Sequence, residues 1–182
     1  LKQMAPDPLV LPLANPNPEI MPEEAVAARP DAMMCTGRSD YPNQVNNVLC
    51  FPYIFRGALD VGARTINEEM KRAAVEAIAA LAREAPSDVA ARAYGDDIKL
   101  FGRHSLIPSP FDPRLILRVA PAVAKAACDS GVATRPISDI AAYAESLQRF
   151  VFRSGFVMRS IFSAAKAAPR RVIYADGEDE RV

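Results

Sequence analysis

The chain has no tryptophan, one histidine and three cysteines among its 182 residues. With a single histidine, His104, a histidine metal cluster or a Ser-His relay would stand on one side chain. In Gly102-Arg103-His104-Ser105 it reads as a loop residue. Cys35, Cys50 and Cys128 are odd in number, far apart in sequence and without a CxxC pair. They read as reduced thiols of a cytoplasmic protein rather than a disulfide frame or a zinc site. Charge of one sign is not in excess, with Lys plus Arg at 22 and Asp plus Glu at 22. No basic stripe calls for nucleic acid, and no polybasic helix calls for an anionic membrane. The longest apolar run, Val48 to Phe55, contains Pro52 and stops at Arg56, too short to span a bilayer. The opening Leu-Lys-Gln-Met-Ala-Pro-Asp lacks the order of a signal peptide. What is there is the composition of a soluble globular protein, 50% apolar and 24% charged.

The pattern along the chain is α/β. Pro8 to Ala14 is a short apolar run expected to form a strand buried on both faces, halted by Asn15-Pro16-Asn17-Pro18. Pro22 to Ala28 carries proline at the first helical position and acids in the first turn. A second apolar run, Ala32 to Cys35, ends at Thr36-Gly37. Strand, helix and strand in so short a span form a βαβ unit and imply a parallel sheet. After a polar loop, an apolar helix is expected near Asn46, kinked or restarted at Pro52. Thr65-Ile66-Asn67-Glu68 has capping-box spacing and opens a helix with Met70, Ala74, Ala77, Ile78 and Leu81 on its apolar face. Asp88 to Leu100 reads as helical or irregular, and Phe101 to Phe111 as a loop.

Asp112-Pro113 starts another helix, with Ile116, Val119, Ala120, Val123 and Ala127 on one face and Gly131 as its stop. Ser138 or Asp139 caps a further helix to about Phe152. Gly155 to Ala168 is a joint with a short helix, and Arg171 to Ala175 a strand. The expected domains are 1–153, a connector over 154–169, and the start of a second α/β domain over 170–182. The chain opens without an initiator methionine and closes where a helix would begin, so both ends are expected to be cuts in a longer protein.

In a doubly wound sheet, ligands sit outside the carboxyl ends of the strands. Asn15 follows the first strand there, and Asn46 and Asn47 follow the second strand and its loop. An asparagine amide both donates and accepts, so it can bond a carboxylate, an alcohol or a nicotinamide carboxamide. Equally, asparagine is a common helix cap and pre-proline turn residue. Weaker candidates each have a bland account. Arg38-Ser39-Asp40 could touch a phosphate or be an exposed turn. Asp176 to Glu180 could bind a cation or start a solvated helix, and Lys125 reads as a surface lysine on an apolar helix. No Gly-x-Gly-x-x-Gly and no P-loop occur, which agrees with a segment taken from late in a dinucleotide-binding domain.

Two runs carry a resemblance: Leu13-Ala14-Asn15-Pro16-Asn17-Pro18-Glu19-Ile20, and Thr36 to Asn47 with its Asn43-Gln44-Val45-Asn46-Asn47. Both resemble late signatures of bacterial malic enzymes, continued by Val48 to Pro52, Phe55 to Asp60, Ile107-Pro108, Phe111 to Arg114 and Ala120 to Ala124. Arg170 to Arg181 resembles the opening strand and turn of a phosphotransacetylase domain, the fusion found in the large hybrid malic enzymes. The resemblance implies the late part of a Rossmann-type NAD(P)-binding domain, a helical connector and the first strand of a second α/β domain. It implies oxidative decarboxylation of malate to pyruvate with NADP or NAD, in a homo-oligomer. Asn47 would bind malate or pyruvate, Asn15 would stand where substrate and nicotinamide meet, and Asn46 would face the cofactor. The divalent metal, Mg or Mn, and the catalytic residues would lie upstream, so the segment alone is expected to be inactive. Pro12 and Met33-Met34-Cys35 depart from the family pattern in the strands, but not at the asparagines. Two rival readings remain: a regulatory and assembly module whose second domain senses an acyl-CoA effector, and an acyl transferase.

Overall fold

The computed structural model describes residues 1–84, 100–110 and 112–151. The chain divides into two compact units, Leu1–Ala144 and Glu145–Val182. The expected elements in 85–99, the joint over 155–168 and the strand over 171–175 lie outside the described residues.

Unit one opens with a βαβ turn. Strand β1 (Leu9–Val10), helix α1 (Pro22–Ala28) and strand β2 (Met33–Met34) follow in order, and the strands pair in parallel with Leu9 opposite Met33 and Val10 opposite Met34. The Rossmann-like parallel architecture is therefore present. Helix α1 starts as its residues dictate, with Pro22 in the first turn and the Met21 N–H donating to the Glu24 carboxylate at 3.3 Å. Its Ala25 packs on Ala32 and Met34 in a small apolar cluster under the sheet.

The strand readings need correction. β1 ends at Val10, so Pro12 falls beyond the ladder and removes none of its hydrogen bonds. Nor is the run buried on both faces: Leu9, Leu11 and Leu13 are 47%, 49% and 44% exposed. Alternate side chains of an extended run share one face, and no described element covers theirs.

Arg29 ties down the start of the chain. Its guanidinium donates to the Leu1, Met4 and Ala5 carbonyls and, through Nε and Nη2, to the Asp31 carboxylate at 2.8 and 2.7 Å. That pairing holds the Asp31 carboxyl well below the usual carboxylate range.

The larger core is helical. Helices α2 (Phe51–Asp60), α3 (Glu68–Arg83) and α4 (Arg114–Asp129) bury Ala58, Met70, Ala74, Leu81, Leu115, Val119, Val123 and Ala127 together. The helix restarts beside Pro52, one of the two expected outcomes. The chain makes a 3-10 turn over Asn47–Leu49 and starts α2 at Phe51, leaving Pro52 in the first turn, where no N–H is required. α3 is capped by Asn67 rather than Thr65: Asn67 Oδ1 accepts from Met70 N–H at 3.0 Å. In α4 the inward residue is Leu115, fully buried, in place of the half-buried Ile116. Asp112 accepts from Arg114 N–H at 2.9 Å and forms an ion pair with its guanidinium. Asp139 Oδ1 accepts from Ala142 N–H at 2.9 Å and opens helix α5, residues 140–151.

Close approach between α2 and α4 depends on Gly57. A Cβ there would stand 2.5 Å from the Ala120 carbonyl oxygen and 2.9 Å from Val123 Cβ. The turns that follow these helices are also joined. Arg64 N–H donates to Val132 O at 3.0 Å, and Arg135 N–H to Val61 O at 2.9 Å.

Candidate functional site

Because β1 and β2 are parallel, their carboxyl ends share one edge of the sheet, and the segments bearing Asn15, Asn46 and Asn47 both leave from that edge. The first is a tight bend in which Ala14 N–H donates to the Glu19 carboxylate at 3.1 Å, lowering the Glu19 pKa. Asn15, at the tip, is exposed and joins Pro16 through a cis peptide bond.

The second segment is more closely held. Cys35 and Thr36 are buried at the end of β2, and Val45 N–H donates to the Thr36 carbonyl at 2.8 Å, closing the loop between them. Asn46 then caps the 3-10 turn, its Oδ1 accepting from Val48 N–H at 3.0 Å. Asn47 is exposed. Among the described residues, no hydrogen bond engages the side-chain amide of Asn15 or Asn47, and the Asn46 amide nitrogen makes none either. Of the three candidate asparagines only Asn46 acts as a cap, and its donor is still available to a ligand.

The weaker candidates are occupied. Arg38 forks onto Asp40 through Nε and Nη2 at 2.9 and 2.6 Å, and its guanidinium lies 5.3 Å from the Tyr41 ring centroid. The Tyr41 hydroxyl donates to Glu23, which raises the Tyr41 pKa and lowers that of Glu23. Lys125 is exposed and pairs with Asp129. His104 lies exposed on a loop, beside a recess of about 90 Å³ lined by Pro22, Met33 and Tyr41 but by none of the three candidate asparagines. The acidic run 176–180 lies outside the described residues.

One residue of the motif was not expected to matter. Asn43 is buried, has φ of 56°, and uses both ends of its amide. Nδ2 donates to the Met34 carbonyl at 3.1 Å and to the Arg103 carbonyl at 2.9 Å, while Oδ1 accepts from Leu106 N–H at 2.8 Å. The sequence signal was a polar residue two positions beyond Tyr41, of a type that tolerates the left-handed region.

Among the described residues, no three or more His, Cys, Asp or Glu side chains converge to hold a metal ion. Among the described residues, no helix is long and apolar enough to cross a membrane.

Comparison with known proteins agrees with the parallel fold. The family model described as "Malic enzyme, NAD binding domain" matches residues 1–92. The chain is 74% identical over its whole length to the NAD-dependent malic enzyme of Rhizobium meliloti and 62% identical to the NADP-dependent malic enzyme of Escherichia coli. It spans 24% of each, about a quarter of their length. The crystal structure of malic enzyme from Pyrococcus horikoshii superposes with a TM-score of 0.71 at 41% identity, over 91% of this chain and 34% of that one. With a family match on residues 1–92 and this fold beneath it, the chain belongs to the malic enzyme family and carries part of its NAD-binding domain.

Proposed function

We propose that this chain supplies the substrate- and nicotinamide-facing asparagines of an enzyme that converts malate and NADP or NAD to pyruvate, carbon dioxide and the reduced nucleotide. The observation that carries the reading is the pair Asn46-Asn47, presented beyond the carboxyl edge of the parallel strands with amide donors uncommitted among the described residues. Relatives of the chain bear both NAD- and NADP-dependent names, so both nucleotides belong in the test. In this reading Asn47 bonds malate or pyruvate and holds the alcohol carbon toward the nicotinamide. Asn15 stands where substrate and nicotinamide meet, and the Asn46 amide nitrogen donates to the cofactor. Nicotinamide, when bound, supplies the hydride acceptor. Mg or Mn and the acid–base groups belong to upstream residues.

Two further parts of the reading rest on sequence. Residues 170–182 open a phosphotransacetylase-like domain that binds an acyl-CoA effector, and the protein works as a cytoplasmic homo-oligomer. The free thiols of Cys35, Cys50 and Cys128 support the compartment. Deleting everything after Gly155 then preserves basal turnover and abolishes the effector response.

The test is absorbance at the reduced-nicotinamide band, using the full-length protein with malate, manganese and each nucleotide, beside Asn47→Ala. Turnover by the parent and severe loss in a folded Asn47→Ala support the reading. Silence of the parent with both nucleotides overturns it.

A further inference from the structure

We propose that Asn43 is a positioning residue that fixes Asn46 and Asn47 in place by bolting the loop after β2 to the segment 100–107. This rests on the malate reading above. The loop must leave β2 at Cys35 and deliver Asn46 to the cap of the 3-10 turn, and it contains no helix or strand of its own. A loop of that kind keeps its tip in one place only where side chains or neighbours hold it. The Val45 N–H bond to Thr36 O at 2.8 Å joins its two limbs, and Arg38 N–H on Thr36 Oγ1 at 3.2 Å holds the outward one. On its returning limb, Asn43 adds bonds to backbone outside the loop.

The geometry is specific to that amide. Met34 is the last residue of β2, and its carbonyl accepts a hydrogen bond from Asn43 Nδ2 at 3.1 Å, on a strand whose only described partner is β1. The same nitrogen reaches Arg103 O and the oxygen takes Leu106 N–H, so one amide fills the place of a neighbouring strand. The segment it grips is itself fixed. Gly102 and Ser105 exchange backbone bonds at 3.2 and 2.8 Å, and Arg103 pairs with Asp7 at 2.6 Å. Asn43 therefore connects the sheet end, the 100–107 turn and the backbone three residues before Asn46. Its φ of 56° is one that asparagine adopts more readily than branched residues.

Asn43→Gly removes all three side-chain bonds without straining the backbone, and Asn43→Ala removes them and adds strain. In the full-length enzyme the expected result for folded Asn43→Gly is a fall in kcat/KM for malate of about tenfold or more, since misplacement of a substrate-orienting group by about 1 Å costs up to about a hundredfold. The KM for nucleotide moves less, because no phosphate-cradling glycine loop belongs to this chain. Hydrogen exchange should quicken at the Val48, Leu49 and Cys50 amides as well as at Leu106. Wild-type kcat/KM in Asn43→Gly with loss in Asn43→Ala assigns the residue to backbone angle alone and overturns the proposal. So does faster exchange at Leu106 with Val48 to Cys50 unchanged. If Asn43→Gly does not fold, Asn43→Asp, which keeps the acceptor and loses both donors, is read by the same criteria. A silent wild-type enzyme refutes the malate reading, and the exchange pattern then decides the tether by itself.

Discussion

The Tyr143 hydroxyl donates to Asp60 Oδ2 at 2.7 Å, the same oxygen that Arg56 Nε reaches at 2.6 Å. Asp60 is the last residue of α2 and Tyr143 stands in α5, so one carboxylate oxygen joins those helices. Burial, and then the Asp60 carboxylate, push the Tyr143 hydroxyl far above its ordinary pKa. The raised value means the folded state retains a proton that the unfolded chain loses above about pH 10. This contribution to stability is complete below that pH and is lost as pH rises toward the folded value. Tyr143→Phe leaves Asp60 paired with Arg56 and removes the hydroxyl's bond to Asp60, whose loss costs about 0.5–1.5 kcal/mol at neutral pH. Denaturant unfolding at pH 8 and pH 10.5 checks both parts: the gap between wild type and variant should narrow at the higher pH. Tyr41 and Tyr53 also have raised pKa values, so some alkaline decline remains in the variant.

Gly57 gives a second prediction. Its missing Cβ would lie 2.5 Å from a backbone oxygen, Ala120 O, which has no side-chain rotation by which to retreat. Gly57→Ala must push α2 and α4 apart, at a cost of about 1–3 kcal/mol. Gly102→Ala is the control, since its nearest neighbour would be Leu100 O at 3.9 Å. Thermal unfolding should fall clearly in the first and little in the second. Equal shifts would mean that the helices do not approach this closely.

The cap of α3 separates what the sequence disclosed from what it concealed. Thr65-Ile66-Asn67-Glu68 marked the helix start correctly in position but not in agent. The cap is Asn67, whose Nδ2 also donates to Ser130 Oγ at 2.9 Å. That second bond spans 63 residues and exists only once α4 is in place, so local spacing could not disclose this further hold on Asn67. Asn67→Ala should cost about 1 kcal/mol, the usual worth of an N-cap, and Thr65→Ala close to nothing, as an exposed residue outside the helix. Native-state hydrogen exchange at the Met70 amide is the direct readout. Greater acceleration in Thr65→Ala would return the cap to the sequence reading.

The same divide runs through the described residues. Element order, the parallel pair and the inward residues Met70, Ala74, Val119 and Val123 were legible because apolar spacing and caps are local signals. Leu9, Leu11 and Leu13 misled because an apolar run records what a strand is built to meet, and no described element meets it. The asparagines were legible as a motif. Their division of labour was not, because it depends on where carbonyls of Met34 and Arg103 arrive in space.

That division makes the last prediction. Asn46 spends its oxygen on Val48 N–H, whereas Asn47 is exposed with no bond from its amide among the described residues. Asn46→Ala therefore has two expected effects: loss of a cap, about 0.5–2 kcal/mol, and loss of turnover. Asn47→Ala should lose turnover and leave unfolding unchanged. Asn46→Asp preserves the cap acceptor and removes the donor, so it should recover stability without recovering activity. Unfolding curves and steady-state kinetics on the three full-length variants separate the roles. Full activity in Asn46→Asp would confine Asn46 to the cap and leave Asn47 as the ligand-facing member of the pair.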